Sequence, residues 1–382
     1  MAVSSSASRT TAAPPAARAT AQRALARPLA TLRLDGGIVA ASAWFVGGLY
    51  LDGWAHNTFP SLETFFTPWH AVLYSGFLAS VAVLGWAIGR HHTGGRTWWQ
   101  SIPAGYEVSM LGAVLFIASG VADMLWHIVF GIEANVDALL SPTHLALLLG
   151  GTLFVTGPIR AEARRRAAGV AASGWAALMP RLLALMYVLA SLSFFTQYAN
   201  PWGGPWASAV YQPVTSDVLT VGGRALDAVF LLQALSVAGV LLQAALLAAF
   251  VLVAVRPGRV PAGGFTLTIG LYVILTVLMR QKYDVGIQVP LAIAGILTGV
   301  AADLLNAWLR PGRSTAAALR TFGALVPAVA TGATILALST TQGVWWTIHL
   351  WAGAVILAAA TGWLLAYLAT STPVPAAEPM AP

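Results

Sequence analysis

Ten stretches of this 382-residue chain run for about 18 residues or more with almost no charged side chain: 37–56, 68–89, 105–130, 142–159, 180–198, 227–255, 263–280, 286–309, 316–338 and 344–368. A helix rises about 1.5 Å per residue, so roughly 20 apolar residues cross the hydrocarbon core of a bilayer. Only 9% of the residues are charged, against roughly 25% in a soluble domain. The chain is therefore predicted to be all-α, a polytopic integral membrane bundle of about ten transmembrane helices in a lipid bilayer. Pro290 and Pro327 interrupt the eighth and ninth stretches.

The net charge of +7 does not point to nucleic acid. The arginines gather in short loops, at 91–96, 160–166, 256–259 and 310–313, all on one side if the helices alternate. That is the positive-inside pattern, and it predicts a multi-pass cell-membrane protein with both termini cytoplasmic. RQK at 280–282 is the discordant group. Residues 1–34 and 369–382 read as disordered tails, 35–160 as one unit of four helices and 161–368 as a second helical bundle. The basic first segment has no apolar core of signal-peptide length after it; the next apolar run is long enough to span. With no Cys, disulfides, thiolate metal sites and Cys nucleophiles are excluded.

Within the first unit the chain repeats itself. Phe45, Asp52, His56, Glu63, Pro68, His70 and Gly76 correspond to Phe116, Asp123, His127, Glu133, Pro142, His144 and Gly150. The offset is 71 through the His of Asp-x3-His, 70 at the Glu and 74 from the Pro onward, so only the connection changes length. Each copy reads as a helical hairpin, and the two face the membrane in the same direction, a parallel repeat. Residues i and i+4 share a helix face, so Asp52 with His56, and Asp123 with His127, sit side by side at a helix end. Pro suits the first helical turn, which puts His70 and His144 at the same depth on the returning helices.

Each hairpin can thus gather Asp, His and His, three ligands with room for a fourth, a donor set that suits Zn or Cu. Glu63, Glu133 and Asp137 are placed to orient the imidazoles or attract cations. The alternative for these intramembrane groups is a hydrogen-bonded or proton-carrying network. Haem ligation by His56 and His70, fourteen apart, is opposed by Pro60 and Pro68 between them.

The pattern at Asp52, His56 and His70, followed by Asp123, His127 and His144, resembles the C subunit of the particulate methane monooxygenase and ammonia monooxygenase family, the copper membrane monooxygenases. That family carries Asp-x3-His-x12-His and Asn-x3-His-x13-His sets that hold copper in the membrane. The resemblance covers about 37–160 and implies two copper sites, O2 chemistry on a small apolar substrate, and further membrane subunits. This chain has Asp123 where the family has Asn, a longer last gap in the second set, and six more apolar stretches.

In the second unit, Asp227, Asp303 and His349 read as helix-end or interhelical hydrogen-bonding residues. Lys282, the only Lys, lies beside Asp284 and reads as solvated at the interface. The aromatic segment 198–217 reads as interfacial anchors, with a lid over the sites as the alternative. Nucleotide-binding and hydrolase motifs are missing from the sequence. Three readings stand: a copper-dependent oxygenase-like subunit, a metal-ion carrier, or a zinc-dependent membrane hydrolase with Glu63 or Glu133 as base. Because the six ligands cluster toward one face and no acidic or His chain continues across, a fixed metal centre is favoured over a carrier.

Overall fold

The computed structural model describes residues 27–371 apart from 60–65, 94, 132, 134, 215–217, 222–223, 259, 281–284 and 313–314. Its long helices are α1 Leu32–Thr58, α2 Pro68–His91, α3 Glu107–Phe130, α4 Pro142–Val155, α5 Gly157–Ala167 and α6 Trp175–Phe195. The second half adds α7 Ala228–Val255, α8 Gly264–Met279, α9 Val285–Leu309, α10 Ala316–Ser339 and α11 Ile348–Ser371. Nine spans among the described residues are long and apolar enough to cross a membrane, with Pro142–Ala167 counted as one; Gly264–Met279, at 16 residues, is a shorter apolar helix. A small hairpin, Val218–Val221 with Arg224–Asp227, precedes α7. Residues 1–26 and 372–382 of the expected tails lie outside the described residues, as do Glu63, Asp217, Lys282 and Asp284. Arg27–Leu34, expected as tail, is structured: Leu29 bridges to Ala104, Ala30 is buried and α1 begins at Leu32. The last helix likewise runs on to Ser371.

The helix starts follow local chemistry. Thr31, Thr67, Ser141, Asp227 and Thr315 each accept a backbone N–H of the first turn they precede. Pro290 and Pro327 leave α9 and α10 unbroken. At the α4–α5 junction, Pro158 has no N–H for the Phe154 carbonyl, which instead accepts from Ser109 Oγ at 2.8 Å. A neighbouring helix thus satisfies what the proline releases, as hydrocarbon surroundings require.

Within each hairpin the two helices meet at a glycine. A Cβ on Gly76 would lie 2.5 Å from the Phe45 backbone nitrogen, and one on Gly150 would lie 2.7 Å from that of Phe116. Small residues at such crossings let backbones approach closely. Between the two hairpins Phe45, Phe77, Phe116 and Phe154 form a buried aromatic cluster, with Phe77 stacked on Phe116 at 4.2 Å and Phe45 edge-on to it at 5.2 Å.

The end of the bundle opposite the Asp/His/His residues carries most of the arginines, Arg280 being an exception, and several are held inside. Arg165 pairs with the fully buried Asp35 at 2.5 Å, and Tyr106 donates to the same carboxylate at 2.6 Å. Burial and the neighbouring Asp35 charge push the Tyr106 phenol far above the usual tyrosine range, so it remains a donor. Glu162 binds both Arg166, at 2.6 Å, and Arg181, at 3.0 Å. Arg166 reaches the Pro257 carbonyl and Arg181 that of Ala254, tying the first four spans to α6 and α7.

Asp227 caps α7 as a helix-end residue, and Asp303, within α9, accepts from the backbone of Phe265 and Thr266 at the start of α8, the expected interhelical role. His349 sits exposed in the first turn of α11.

Candidate metal centre

The six Asp and His residues come together as two groups of three: Asp52, His56 and His70, and Asp123, His127 and His144. Within each group one ligand atom per residue lies within 4.8 Å of the others. α1 and α3 deliver the Asp and first His one turn apart near their last residues, and α2 and α4 deliver the second His in their first turn. In the first group, Nε2 of His56 and of His70 lie 3.8 and 3.4 Å from Asp52 Oδ2. In the second, Nε2 of His127 and of His144 both lie 3.5 Å from Asp123 Oδ2. The imidazole centroids are 5.7 Å apart in both groups, tilted by 53° and 57°. One arrangement is therefore built twice, with both Nε2 atoms and one carboxylate oxygen converging.

The returning histidines are positioned by the residue that opens their helix. Thr67 Oγ1 accepts the His70 N–H at 3.1 Å, and Ser141 Oγ accepts that of His144 at 3.4 Å. Ser141 Oγ also lies 2.7 Å from Nδ1 of His144, so the cap orients the ring as well as the backbone. Glu133 comes within 3.1 Å of Nδ1 of His127, which also lies 3.3 Å from the Gly131 carbonyl. Metal-binding imidazoles commonly use the second ring nitrogen in this way, fixing the tautomer that presents Nε2. Asp137 is exposed at the start of a short helix, Asp137–Leu140, and its carboxylate forms no ion pair among the described residues. Glu63, the counterpart of Glu133, lies outside the described residues.

The two groups differ at one carboxylate oxygen. Asp123 Oδ1 accepts from Thr143 Oγ1 at 2.6 Å, whereas Asp52 Oδ1 is buried with no hydrogen-bond partner among the described residues. The position of Thr143 is taken in the first hairpin by Trp69, which packs with Trp54 and Phe59 and offers no hydroxyl. An unmet buried acceptor costs about 1–3 kcal/mol, which a cation at this site would offset. Exposure also differs: the His56 side chain is 41% exposed, against 10% for His127.

The groups are neighbours. His56 lies within electrostatic reach of His127 and His144, and the phenol of Tyr74 lies within reach of both Asp52 and Asp123. Tyr74 fits there because Gly120 has no side chain; a Cβ on it would stand 3.1 Å from the Tyr74 hydroxyl. Tyr74, Thr143 and the two caps were not singled out from the sequence. Thr-Pro-Trp-His at 67–70 and Ser-Pro-Thr-His at 141–144 did carry the caps, as a capping residue, a Pro at the first helical position and His two further on. Tyr74 had no such signal, since Leu148 stands at its place in the second copy.

Residues 199–208 of the aromatic segment expected as interfacial anchors pack inward, while Val210 and Val214 are exposed. Trp202 is buried, and the Gly203 carbonyl accepts from Arg280, which also donates to Asn57 one residue beyond His56. The fold and site together define a multi-pass helical membrane protein with two Asp/His/His groups of metal-binding type. No protein-family model matches the chain, and neither does any curated protein or solved structure.

Proposed function

We propose that the protein is a membrane metalloprotein whose two Asp/His/His groups each hold a copper ion, and that it serves as an oxygenase-like subunit acting on small apolar molecules. The observation that carries the reading is the paired convergence of two Nε2 atoms on one carboxylate oxygen, made twice with near-identical geometry. Two imidazoles and a carboxylate suit copper or zinc; copper is preferred through the ligand-pattern resemblance and the affinity order of divalent metals. Bound copper would supply O2 chemistry, while the protein supplies ligand geometry and a sparingly hydrated setting.

The chain's own residues have separate tasks. Asp52 and Asp123 fix the charge of each centre, the Thr67 and Ser141 caps set the depth of His70 and His144, and the Gly131 carbonyl, with the Glu133 carboxylate beside it, faces Nδ1 of His127. The buried cluster of Phe45, Phe77, Phe116 and Phe154 favours a fixed centre over a carrier, since four packed rings offer an ion no ligands between the hairpins.

Electron paramagnetic resonance of the Cu(II)-loaded protein tests this. The expected spectrum shows hyperfine coupling to two imidazole nitrogens per ion, with one population lost in His56→Ala and the other in His127→Ala. A spectrum unchanged in both variants would refute the assignment.

A further inference from the structure

A groove at the arginine-rich end is independent of the metal reading. It lies between the start of α3 and α5, is lined by Gly105, Glu107, Val108, Arg160, Ala163 and Arg164, and has about 340 Å³ of room, ample for a phosphate and its glycerol. Gly105 brings its two walls together. Its φ is +100°, and a Cβ there would stand 2.4 Å from the Ala161 backbone nitrogen, so the turn before α3 rests directly on α5.

Arg160 and Arg164 lie one turn apart on one face of α5. The Arg160 guanidinium is half-buried and fixed by neutral acceptors. Nε donates to the Gly105 carbonyl at 2.9 Å, Nη1 to Thr156 Oγ1, and Nη2 to Ser109 Oγ at 2.8 Å and to the Leu153 carbonyl at 3.2 Å. Of the five N–H groups a guanidinium carries, these bonds leave one on Nη1. Among the described residues no carboxylate forms an ion pair with Arg160, and none does with the exposed Arg164. The acid that lines the groove is engaged elsewhere: Glu107 Oε2 accepts the Gly105 N–H at 2.7 Å and Oε1 faces Arg27 at 3.5 Å. Glu107 lies within electrostatic reach of Arg160 without bonding it, and three arginines against one carboxylate leave this corner positive. From Glu107 onward, α3 turns an apolar face outward. Leu111, Val114, Val121 and Leu125 recur at helical spacing from Glu107, each more than half exposed. The stripe runs for about 27 Å, longer than the roughly 15 Å of hydrocarbon in one leaflet.

We propose that this groove binds the phosphate of an anionic phospholipid between Arg160 and Arg164, with an acyl chain lying along the exposed face of α3. A basic pocket between spanning helices suits such a headgroup. A zwitterionic lipid brings an ammonium, and Glu107, already engaged by Arg27 and Gly105, leaves it no free carboxylate.

Native mass spectrometry of the full-length protein, released from micelles holding equal amounts of phosphatidylglycerol and phosphatidylcholine with matched chains, tests this. One phosphatidylglycerol should be retained in preference to phosphatidylcholine. Arg164→Gln should lower that retention about tenfold, the effect of losing one charge-assisted hydrogen bond. Arg90→Gln, at an exposed arginine of the same end that does not line the groove, should leave it unchanged. Glycerophosphoglycerol, the same headgroup without chains, should not displace the lipid at equal concentration. The two-lipid comparison uses the unaltered protein, so it decides the matter even if a variant fails to fold. Equal retention of the two lipids, equal retention of phosphatidylglycerol by the two variants, or displacement by the chainless headgroup would overturn the proposal.

Discussion

Thr143 and Trp69 occupy one position in two otherwise parallel constellations, and the contrast isolates what a single hydroxyl does. Thr143 donates to Asp123 Oδ1 and holds the carboxylate so that Oδ2 faces both imidazoles. Removing such a supporting partner typically costs 10–100-fold in metal affinity. Thr143→Val should therefore weaken the second site by about tenfold and leave the first unchanged, a difference that competitive metal titration against a chelator would resolve. Ser141→Ala should lower stability by about 1 kcal/mol through the lost cap and also loosen the His144 ring; thermal unfolding in detergent reports the first effect and metal titration the second. The two Asp/His/His groups were legible because ionisable side chains in apolar helices are rare, and the i, i+4 and Pro-x-His spacings fix their faces. Tyr74 and Thr143 were not, since both are ordinary membrane-helix residues whose meaning lies in which neighbour they meet.

At the scale of elements, close approach decides which glycines matter. Gly to Ala inside a helix usually gains up to about 1 kcal/mol from propensity alone. Gly85 in α2, with nothing within 4 Å of the position of an added Cβ, should behave so. Gly76, on the same helix, should lose stability by about 1–3 kcal/mol, because its methyl group would meet the backbone of Phe45. Thermal unfolding of Gly85→Ala beside Gly76→Ala checks the opposite signs; equal shifts would contradict the packing described. Nine of the ten expected spans are helices long and apolar enough to cross, including those with Pro290 and Pro327, whereas the seventh stretch gives the shorter Gly264–Met279. The proline within the fourth stretch was not read as dividing α4 from α5, because the partner that satisfies its freed carbonyl, Ser109, lies 45 residues away. Nor did composition reveal that residues 199–208 pack inward, as Trp is equally at home in an interface and in a packed interior.

Across the whole molecule, the arginine-rich end acts as a clasp and the opposite end holds the two Asp/His/His groups. Asp35 and Arg165 join the start of α1 to α5, while Glu162, Arg166 and Arg181 carry the connection to α6 and α7. Arg165→Met should cost about 3–5 kcal/mol by stranding the buried Asp35 carboxylate, and the double variant Asp35→Leu/Arg165→Met should recover most of that loss in a thermal unfolding series. Counting arginines at 160–166 identified this end of the bundle without showing that Arg165 is buried, since charge patterning gives a side of the membrane and not a side-chain partner. The central claim concerns the other end, and elemental analysis of the purified, detergent-solubilised protein beside the His70→Ala/His144→Ala variant tests it most directly. The account predicts copper in the unaltered protein, up to one ion for each of the two groups, and its loss in a variant that remains folded. No bound metal after reconstitution with copper or zinc, or equal metal content in the two proteins, would contradict it.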